Sequence, residues 1–201
     1  VGMAPQGRVS DAEIEAAAKL INEAEKPYIY IGGGAAGEGM ADIICALAEK
    51  IDGFVGCTFM GLSCLPCSYE RYLGMEGMHG HYASSMANKD ADLVIGVGVR
   101  FSDRATGNTA KYCPNAKIIQ LDTDLSEINK NIKVDAGLIG DIVDSFARLL
   151  DKCEEKQHPE WRAHIEALKS EENAIIAKTE EKANGAMTPK KIFDVINEVK
   201  D

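Results

Sequence analysis

The amino-acid sequence predicts an α/β fold: a doubly wound, mainly parallel sheet of about six strands, with helices on both faces and a helical C-terminal extension. Short apolar runs at 28–31, 54–57, 92–97 and 117–121 are typical of buried strands, and a weaker run covers 134–139. Segments with apolar residues at every third or fourth position separate these runs and predict helices. Strands that alternate with helices in this way indicate a parallel, Rossmann-like sheet.

The first predicted elements after a linker at 1–9 are a helix and a strand. Ser10 and Glu13 form a capping-box pattern, so a helix is predicted to begin there and to end before Pro27. The first strand runs directly into a glycine cluster. A second helix is predicted from Met40, where apolar residues begin to recur at helical spacing.

The glycine cluster after the first strand suits a phosphate group. Gly32, Gly34 and Gly37 match G-x-G-x-x-G, and bare backbone with free N–H groups next to a helix N-terminus can receive a pyrophosphate. The second strand ends in Thr58 and not in an acidic residue, which disfavours a classical NAD site. The alternative is that the glycines only let a helix pack on a strand.

Unusual loops follow the predicted strands. The segment 58–90 is rich in Gly, Met, Cys and Ser, and a helix around 82–89 shortens it. Polar residues also follow strands at 98–104 and 122–124. Because ligands of parallel sheets bind at the carboxyl ends of the strands, we expect these loops to meet at one crevice.

Composition excludes several classes of function. The formal net charge of −10 and the lack of Lys and Arg clusters argue against a nucleic-acid partner. No apolar run approaches transmembrane length, and no targeting sequence is visible. The six cysteines are most simply reduced thiols, so we expect a cytoplasmic protein without a membrane partner.

Cys64 and Cys67 form a C-x-x-C pattern, which could be a redox pair, half of a zinc site or a chance occurrence. A redox pair needs a helix N-terminus to lower the thiol pKa, but this pattern lies in a loop. A zinc site could recruit His79 and His81, although H-x-H is not the usual spacing. Chance in a loop is the favoured interpretation, and no metal site is predicted.

The C-terminal part is predicted to be helical. A helix begins after Gly140 and Asp141, and 159–182 forms a long polar helix. Its apolar contacts are Trp161, Ile165, Leu168 and Ile175 or Ile176. Thr188 and the proline after it cap a final amphipathic helix. We therefore divide the chain into a nucleotide-binding domain at 10–153, a helical linker at 154–187 and the start of a further domain at 188–201.

Several ordered motifs resemble the central domain of the acetolactate synthase (acetohydroxyacid synthase) family, which are thiamine-diphosphate enzymes. The resemblance is close over 27–145. Its motifs are Gly32-Gly33-Gly34, Thr58-Phe59-Met60-Gly61-Leu62, the segment 73–80, the segment 98–107, the segment 119–124 with Glu127 and Ile128, and Gly140-Asp141. Ordered motifs are far more specific than a single glycine pattern.

The resemblance implies an FAD site in this domain, with a flavin that does no net redox chemistry. The residues implied for the phosphates and ribityl chain are Gly32, Gly33, Gly34, Gly98, Val99 and Arg100. Those implied for the flavin side are Thr58, Phe59, Met60, Met78, His79 and Gly80. Those implied for the adenosine are Asp122, Thr123, Glu127, Asp141 and Ile142, where a carboxylate suits ribose hydroxyls.

Asp103 and Arg104 match a pair that the family places at the active-site entrance. The resemblance implies that Arg104 clamps the carboxylate of the second 2-oxoacid and that Asp103 orients the guanidinium. Without the resemblance, a surface ion pair would be the simpler interpretation. Two positions depart from the family pattern: Ser102 replaces an aspartate near the cofactor, and His81 replaces a threonine.

The family's remaining catalytic parts are not found in this sequence. These are a glutamate that activates thiamine diphosphate and a Gly-Asp-Gly…Asn motif for Mg²⁺. We therefore expect this chain alone to be inactive. The resemblance implies N- and C-terminal partner domains, a homodimer or homotetramer, and a possible regulatory subunit. The alternatives are the central domain of another carboligase or decarboxylase, such as glyoxylate carboligase or sulfoacetaldehyde acetyltransferase, or a non-catalytic binding module.

Overall fold

The computed structural model describes residues 7–109 and 112–199. Its described residues form one sheet of six strands in the order β3-β2-β1-β4-β5-β6, and every neighbouring pair is parallel. The strands are β1 Pro27–Ile31, β2 Phe54–Cys57, β3 Tyr72–Met75, β4 Leu93–Val97, β5 Lys117–Asp122 and β6 Ala136–Ile139. The predicted doubly wound α/β fold is confirmed.

Seven helices occur in the same described residues. They are α1 Asp11–Glu23, α2 Met40–Lys50, α3 Tyr82–Asp90, α4 Asp103–Thr106, α5 Ile142–Lys152, α6 Pro159–Lys182 and α7 Pro189–Val199. The capping box at the start of α1 forms as predicted, since Ser10 accepts from the Glu13 N–H and Glu13 accepts from the Ser10 N–H. Asp141 caps α5 by accepting from the N–H of Asp144.

One strand lies where the sequence analysis placed only loop and helix. β3 pairs with β2 at the edge of the sheet, and its register shifts between Val55 and Cys57. A glycine with φ of +80°, Gly74, interrupts this short strand. The irregular edge strand lacks the continuous apolar run that identified the other strands.

The sheet separates two cores with different chemistry. We call the side that packs against α1, α2 and α5 the α5 face, and the side that packs against α3 and α6 the α6 face. Side chains alternate along β1, so Ile29 and Ile31 enter the α5 face while Tyr28 and Tyr30 enter the α6 face. The α6 face therefore receives polar groups from the centre of the sheet.

The first half of α6 is part of the core. Trp161, Ile165 and Leu168 are buried on the α6 face, as the sequence analysis expected of them, and the Trp161 indole N–H donates to the Pro27 carbonyl at 3.2 Å. Ile175 and Ile176 are instead 49% and 37% exposed, so the predicted apolar contact there does not form. The side chains that bury α6 in the core therefore extend only as far as Leu168.

A buried carboxylate anchors the start of α6. Asp52 is fully buried and accepts the N–H of His158 at 2.7 Å. It also pairs with Arg71 at 2.7 Å and with Arg162 at 2.5 Å. Burial opposes ionisation, but these bonds outweigh it and hold the pKa of Asp52 below its usual range.

The last helix carries its apolar residues on the surface. α7 has no buried residue, and its large exposed side chains are Ile192, Phe193, Val195, Ile196 and Val199. No helix among the described residues, including the long and strongly charged α6, has the length and apolar character needed to cross a bilayer.

Candidate functional site

A cleft of 1110 Å³ opens at the carboxyl edge of the sheet. The loops that follow β1, β2, β3 and β4 line it, as expected for ligands of a parallel sheet. The predicted site residues that line it are Gly32, Gly33, Gly34, Thr58, Phe59, Met60, Met78, His79, Gly98, Val99, Arg100, Ser102, Asp103 and Arg104. Separate loops of the sequence are thus brought to one site.

The glycines hold two loops of the cleft against each other. A Cβ on Gly32 would lie 2.2 Å from the Gly98 carbonyl oxygen, and a Cβ on Gly98 would lie 2.4 Å from the Gly34 Cα. Gly98 also has φ of +57°. The glycines therefore allow backbone to pack on backbone between the loops after β1 and β4.

This packing corrects part of the predicted phosphate cradle. The N–H groups of Gly32 and Gly34 donate to the carbonyls of Val97 and Gly98 at 2.9 and 3.1 Å, so they are not free for a ligand. α2 begins at Met40 as predicted, but neither it nor the residues between Ala35 and Met40 line the cleft. α2 therefore contributes no residue to the lining of the cleft at this glycine turn.

One wall of the cleft is apolar and exposed. Phe59, Met60 and Met78 are 73%, 70% and 81% exposed, although their side chains are large and hydrophobic. Single exposed apolar residues are common, but three along one cleft form a surface suited to a flat apolar ligand.

The predicted adenosine residues lie beside the cleft and not in its lining. Asp122 ends β5 and accepts the N–H of Asp124, while Thr123 after it is exposed. Glu127 is buried, and its Oε1 lies 4.0 Å from the Nε of Arg100, which reaches it from the cleft. Its Oε2 is buried and has no hydrogen-bond partner among the described residues. Arg100 therefore connects the cleft to this second polar group.

Three further predicted residues have structural positions outside the cleft lining. Asp141 caps α5, and Ile142 is buried in the first turn of that helix. Gly80 closes a turn by donating to the Gly77 carbonyl, and a Cβ on it would lie 2.3 Å from the Met75 carbonyl oxygen. These contacts give each residue a role in the fold, and their predicted contact with a cofactor stays a prediction.

Asp103 does not orient the guanidinium of Arg104. Its carboxylate accepts the backbone N–H of Arg104 at 2.9 Å, and the Arg104 guanidinium forms no ion pair within 7–109 and 112–199. The adjacent position favours a local turn bond over a side-chain pair. An exposed guanidinium at the cleft is consistent with an anion clamp.

His81 and the cysteines do not form a metal or redox site in the described residues. The His81 ring Nδ1 lies 2.7 Å from Glu172 on α6, so its side chain points away from the cleft. Burial raises the pKa of Cys64, the opposite of what a reactive thiol requires. No group of three or more metal-ligating side chains exists within the described ranges.

Five lining residues were missed by the sequence analysis: Tyr30, Met75, Glu76, Phe101 and Ala105. Four of them neighbour quoted motifs or lie within them, but buried strand and loop residues give no local signal that they face a ligand. The unusual one is Glu76, because its carboxyl is buried with only 6% of the residue exposed.

The electrostatics of Glu76 follow from that burial. Burial raises its pKa to about 8, and nearby hydroxyl and amide groups, Tyr30 and Tyr28 first among them, only partly offset this effect. Its Oε2 lies 3.3 Å from the Tyr28 hydroxyl, while its Oε1 has no hydrogen-bond partner among the described residues. A neutral carboxylic acid therefore lies in the floor of the cleft at pH 7.

Comparison with known proteins agrees with this architecture. Residues 14–149 match the family described as "thiamine pyrophosphate enzyme, central domain". The chain is 38% identical over 139 residues to the acetolactate synthase isozyme 3 large subunit of Escherichia coli, which covers 69% of this chain and 24% of that protein. It is 38% identical over 174 residues to the acetolactate synthase large subunit of Corynebacterium glutamicum, with coverage of 84% and 28%.

An archaeal relative extends the match further along the chain. The probable acetolactate synthase large subunit of Methanocaldococcus jannaschii is 35% identical over 190 residues, which is 93% of this chain and 32% of that protein. The chain thus spans between 24% and 32% of the length of these curated relatives. With the matched segment covering the whole sheet and most of α5, the chain belongs to the central-domain family of thiamine pyrophosphate enzymes.

Proposed function

We propose that this chain is the FAD-binding central domain of an acetolactate synthase. Its full-length protein would decarboxylate pyruvate and join the hydroxyethyl unit to a second 2-oxoacid, in branched-chain amino acid biosynthesis. The names of the relatives support this assignment over another carboligase, since those reported above are acetolactate synthases. The activity of the whole protein remains a proposal because the chain matches only part of each relative.

The observation that carries the FAD proposal is the composition of the cleft along its length. Its volume of 1110 Å³ is slightly above the range of about 300–1,000 Å³ for small-molecule sites, as a large, extended ligand requires. The contact between Gly32 and Gly98 keeps part of the cleft surface free of side chains, so an extended chain can lie close to backbone there. The apolar wall of Phe59 and Met78 suits a flat ring system. Beside the cleft, outside its lining, the unpartnered Glu127 Oε2 suits a ribose hydroxyl.

The residues therefore fit FAD, although the N–H groups of Gly32 and Gly34 are occupied. Arg100 and backbone other than these two glycines would hold the phosphates. Bound FAD would supply a structural element of the active site, and Arg104 would face the substrate carboxylate. Thiamine diphosphate and Mg²⁺ would be held by other domains of the full-length protein, so we expect no acetolactate formation by this chain alone.

We infer that the neighbouring domains cover surfaces left open here. The apolar residues of α7, such as Phe193 and Val199, would pack on a domain that follows, in keeping with the predicted boundary at 188. The full-length protein would form a homodimer or homotetramer in the cytoplasm, with a possible regulatory subunit. The measurement that tests this is the sedimentation mass of the full-length protein, for which a stable monomer would contradict the proposal.

The first experiment on the cofactor is the absorbance spectrum of the chain after incubation with FAD and desalting. We expect a flavin band in the protein fraction. Phe59→Ser should weaken FAD binding by about tenfold, because a ring that contacts the ligand loses its apolar area. The matched control is Phe193→Ser on α7, which is similarly exposed, lies outside the cleft, and should bind FAD as the unmodified chain does.

The outcome of the spectrum decides the cofactor. A protein that stays colourless and shows no increase in Tm with excess FAD would contradict the proposal, since any ligand of the native state raises stability by mass action. Equal weakening by Phe59→Ser and Phe193→Ser would contradict the assignment of the cleft.

A further inference from the structure

A chain of buried hydrogen bonds leads from β3 to the floor of the cleft. The Ser84 hydroxyl lies 3.0 Å from the Gly74 carbonyl oxygen and 2.8 Å from the Tyr28 hydroxyl. The Tyr28 hydroxyl lies in turn 3.3 Å from Glu76 Oε2. All the side chains in this chain are buried on the α6 face.

All three contacts can be hydrogen bonds at the same time with only one assignment of the protons. A carbonyl only accepts, so the single hydroxyl proton of Ser84 goes to Gly74. Ser84 must then accept from Tyr28, which uses the single proton of Tyr28. The contact between Tyr28 and Glu76 is therefore satisfied when the carboxyl is protonated and Oε2 donates, which agrees with a neutral Glu76 at pH 7.

Two buried polar atoms remain without partners at the end of this chain. Glu76 Oε1, the carbonyl oxygen of the neutral acid, and the Tyr30 hydroxyl each lack a hydrogen-bond partner of normal geometry among the described residues, although the Tyr30 hydroxyl is close enough to Glu76 to lower the pKa of its carboxyl. The two groups are near enough to perturb each other's ionisation, and both residues line the cleft. A buried polar group without a partner costs about 1–3 kcal/mol, so this pair is poised to gain from a ligand.

We propose that Tyr30 and Glu76 form a polar subsite that binds the N–H and carbonyl edge of the flavin ring. The Tyr30 hydroxyl donates to a ring carbonyl, and Glu76 Oε1 accepts the neighbouring ring N–H. This inference rests on the proposed function, because it assigns chemistry to the same cleft. It adds a recognition element that distinguishes the flavin from the nucleotide part of the cofactor.

The position in the cleft supports the flavin end. Glu76 lies between Met75 and Met78 in sequence order, and all three line the cleft with the exposed apolar wall. Both residues line the cleft but the two polar atoms have almost no exposed surface, so a ligand edge must enter the floor to reach them. The unbranched Met75 and Met78 side chains can move to admit it.

The test compares FAD with ADP on single-residue variants of the whole chain. Glu76→Leu removes the acceptor and should weaken FAD binding by about tenfold, while Tyr30→Phe should weaken it by about three- to tenfold. Glu76→Gln keeps a neutral carbonyl acceptor and should stay within about threefold of the unmodified chain. The affinity for ADP should be unchanged in all three, because ADP lacks the ring.

Tyr69→Phe is the matched control. Its hydroxyl donates to the Cys45 carbonyl at 3.2 Å, it is half-buried, and it does not line the cleft, so FAD affinity should not change. Dissociation constants come from titration of flavin fluorescence and, for ADP, from calorimetry. Melting curves measured in parallel report whether each variant is folded.

Each outcome separates the two proposals. If the unmodified chain binds FAD and Glu76→Leu binds it equally well, the subsite is wrong and the FAD site stands. Parallel losses for FAD and ADP would also overturn the subsite, because they would reveal a purely structural role. If the unmodified chain does not bind FAD, the proposed function fails and the subsite fails with it.

Discussion

The two faces of one sheet use different chemistry to bury similar elements. On the α5 face, Ile29, Ile31 and Phe146 belong to an almost wholly apolar core. On the α6 face, the same strand β1 contributes Tyr28 and Tyr30, which surround a buried carboxyl. The α5 face gains its stability from packing alone, whereas the α6 face carries polar groups that cost stability and lie next to the cleft.

The largest effect is expected on the α5 face. Phe146 is completely buried on α5, so Phe146→Ala should lower the free energy of unfolding by about 4 kcal/mol through lost burial and a cavity. Urea unfolding measures this loss. Phe146→Leu, the matched control, keeps most of the volume and should cost about 1 kcal/mol. A loss below about 1 kcal/mol for the alanine variant would contradict a tightly packed apolar face.

The anchor of α6 should be the next most sensitive position. Asp52→Ala leaves Arg71 and Arg162 without their buried partner and should cost about 3 kcal/mol in urea unfolding. Glu70→Gln is the control, because Glu70 also approaches Arg162, at 3.9 Å, but is 82% exposed. Its change should stay below about 0.5 kcal/mol. Equal effects would mean that burial does not distinguish the two carboxylates.

The two faces should respond differently to pH. Glu76 has a pKa of about 8 in the folded chain, well above the value of 4.5 for an unperturbed glutamate. Between these values the native state binds more protons than the unfolded state, so stability falls as pH rises and becomes constant above about pH 8. Glu76→Gln abolishes this dependence and should gain about 2 kcal/mol on the unmodified chain between pH 6 and pH 9.

The measurement is urea unfolding at pH 6 and pH 9, above the isoelectric point of 4.9. Phe146→Leu should show the same difference from the unmodified chain at both pH values, because its face has no such group. A pH-independent effect of Glu76→Gln would contradict the neutral acid. Other titratable groups around Glu76 also have pKa values raised by burial and stay neutral in this range: Tyr28, Tyr30, Tyr112, Cys57 and Cys113.

The smallest effect concerns the contact between α6 and α3. Glu172 accepts the N–H of Ala83 at 2.9 Å in the first turn of α3, which makes it a capping group supplied by another helix. Glu172→Ala should cost about 1 kcal/mol in the same unfolding assay. Glu181→Ala changes an exposed residue in the last turn of α6 and should have no measurable effect on the free energy of unfolding. If Glu172→Ala leaves the free energy of unfolding unchanged, only the buried residues of α6 up to Leu168 stabilise its packing on the sheet.

Much of the fold could be predicted from local patterns. The runs that became β1, β4 and β5 are rich in large apolar residues, and the capping box at Ser10 indicated the start of α1. β3 could not be found in this way, because its glycine and its place at the sheet edge remove the pattern. The cleft loops could be grouped because parallel strands point their carboxyl ends to one edge.

The polar floor of the cleft could not be predicted. Glu76 depends on Tyr28, which is 48 positions away in sequence, and His81 depends on Glu172, which is 91 positions away. Such contacts are set by packing between distant elements and have no local signature. The resemblance to a known family predicted the loops that line the cleft, but it did not predict the buried polar side chains beneath them.

The long α6 is packed on the sheet through its buried first half, and the rest of the helix projects beyond that contact. Beyond Leu168 the helix continues for about 20 Å at 1.5 Å per residue. If the buried half of α6 tilts by about 5°, the C-terminal end of the helix moves by about 2 Å. The side chains that fix the start of α6, such as Asp52 and Trp161, thereby determine the direction in which the helix leaves the sheet. Small changes in packing around these side chains therefore produce larger changes in the position of the segment that follows α6.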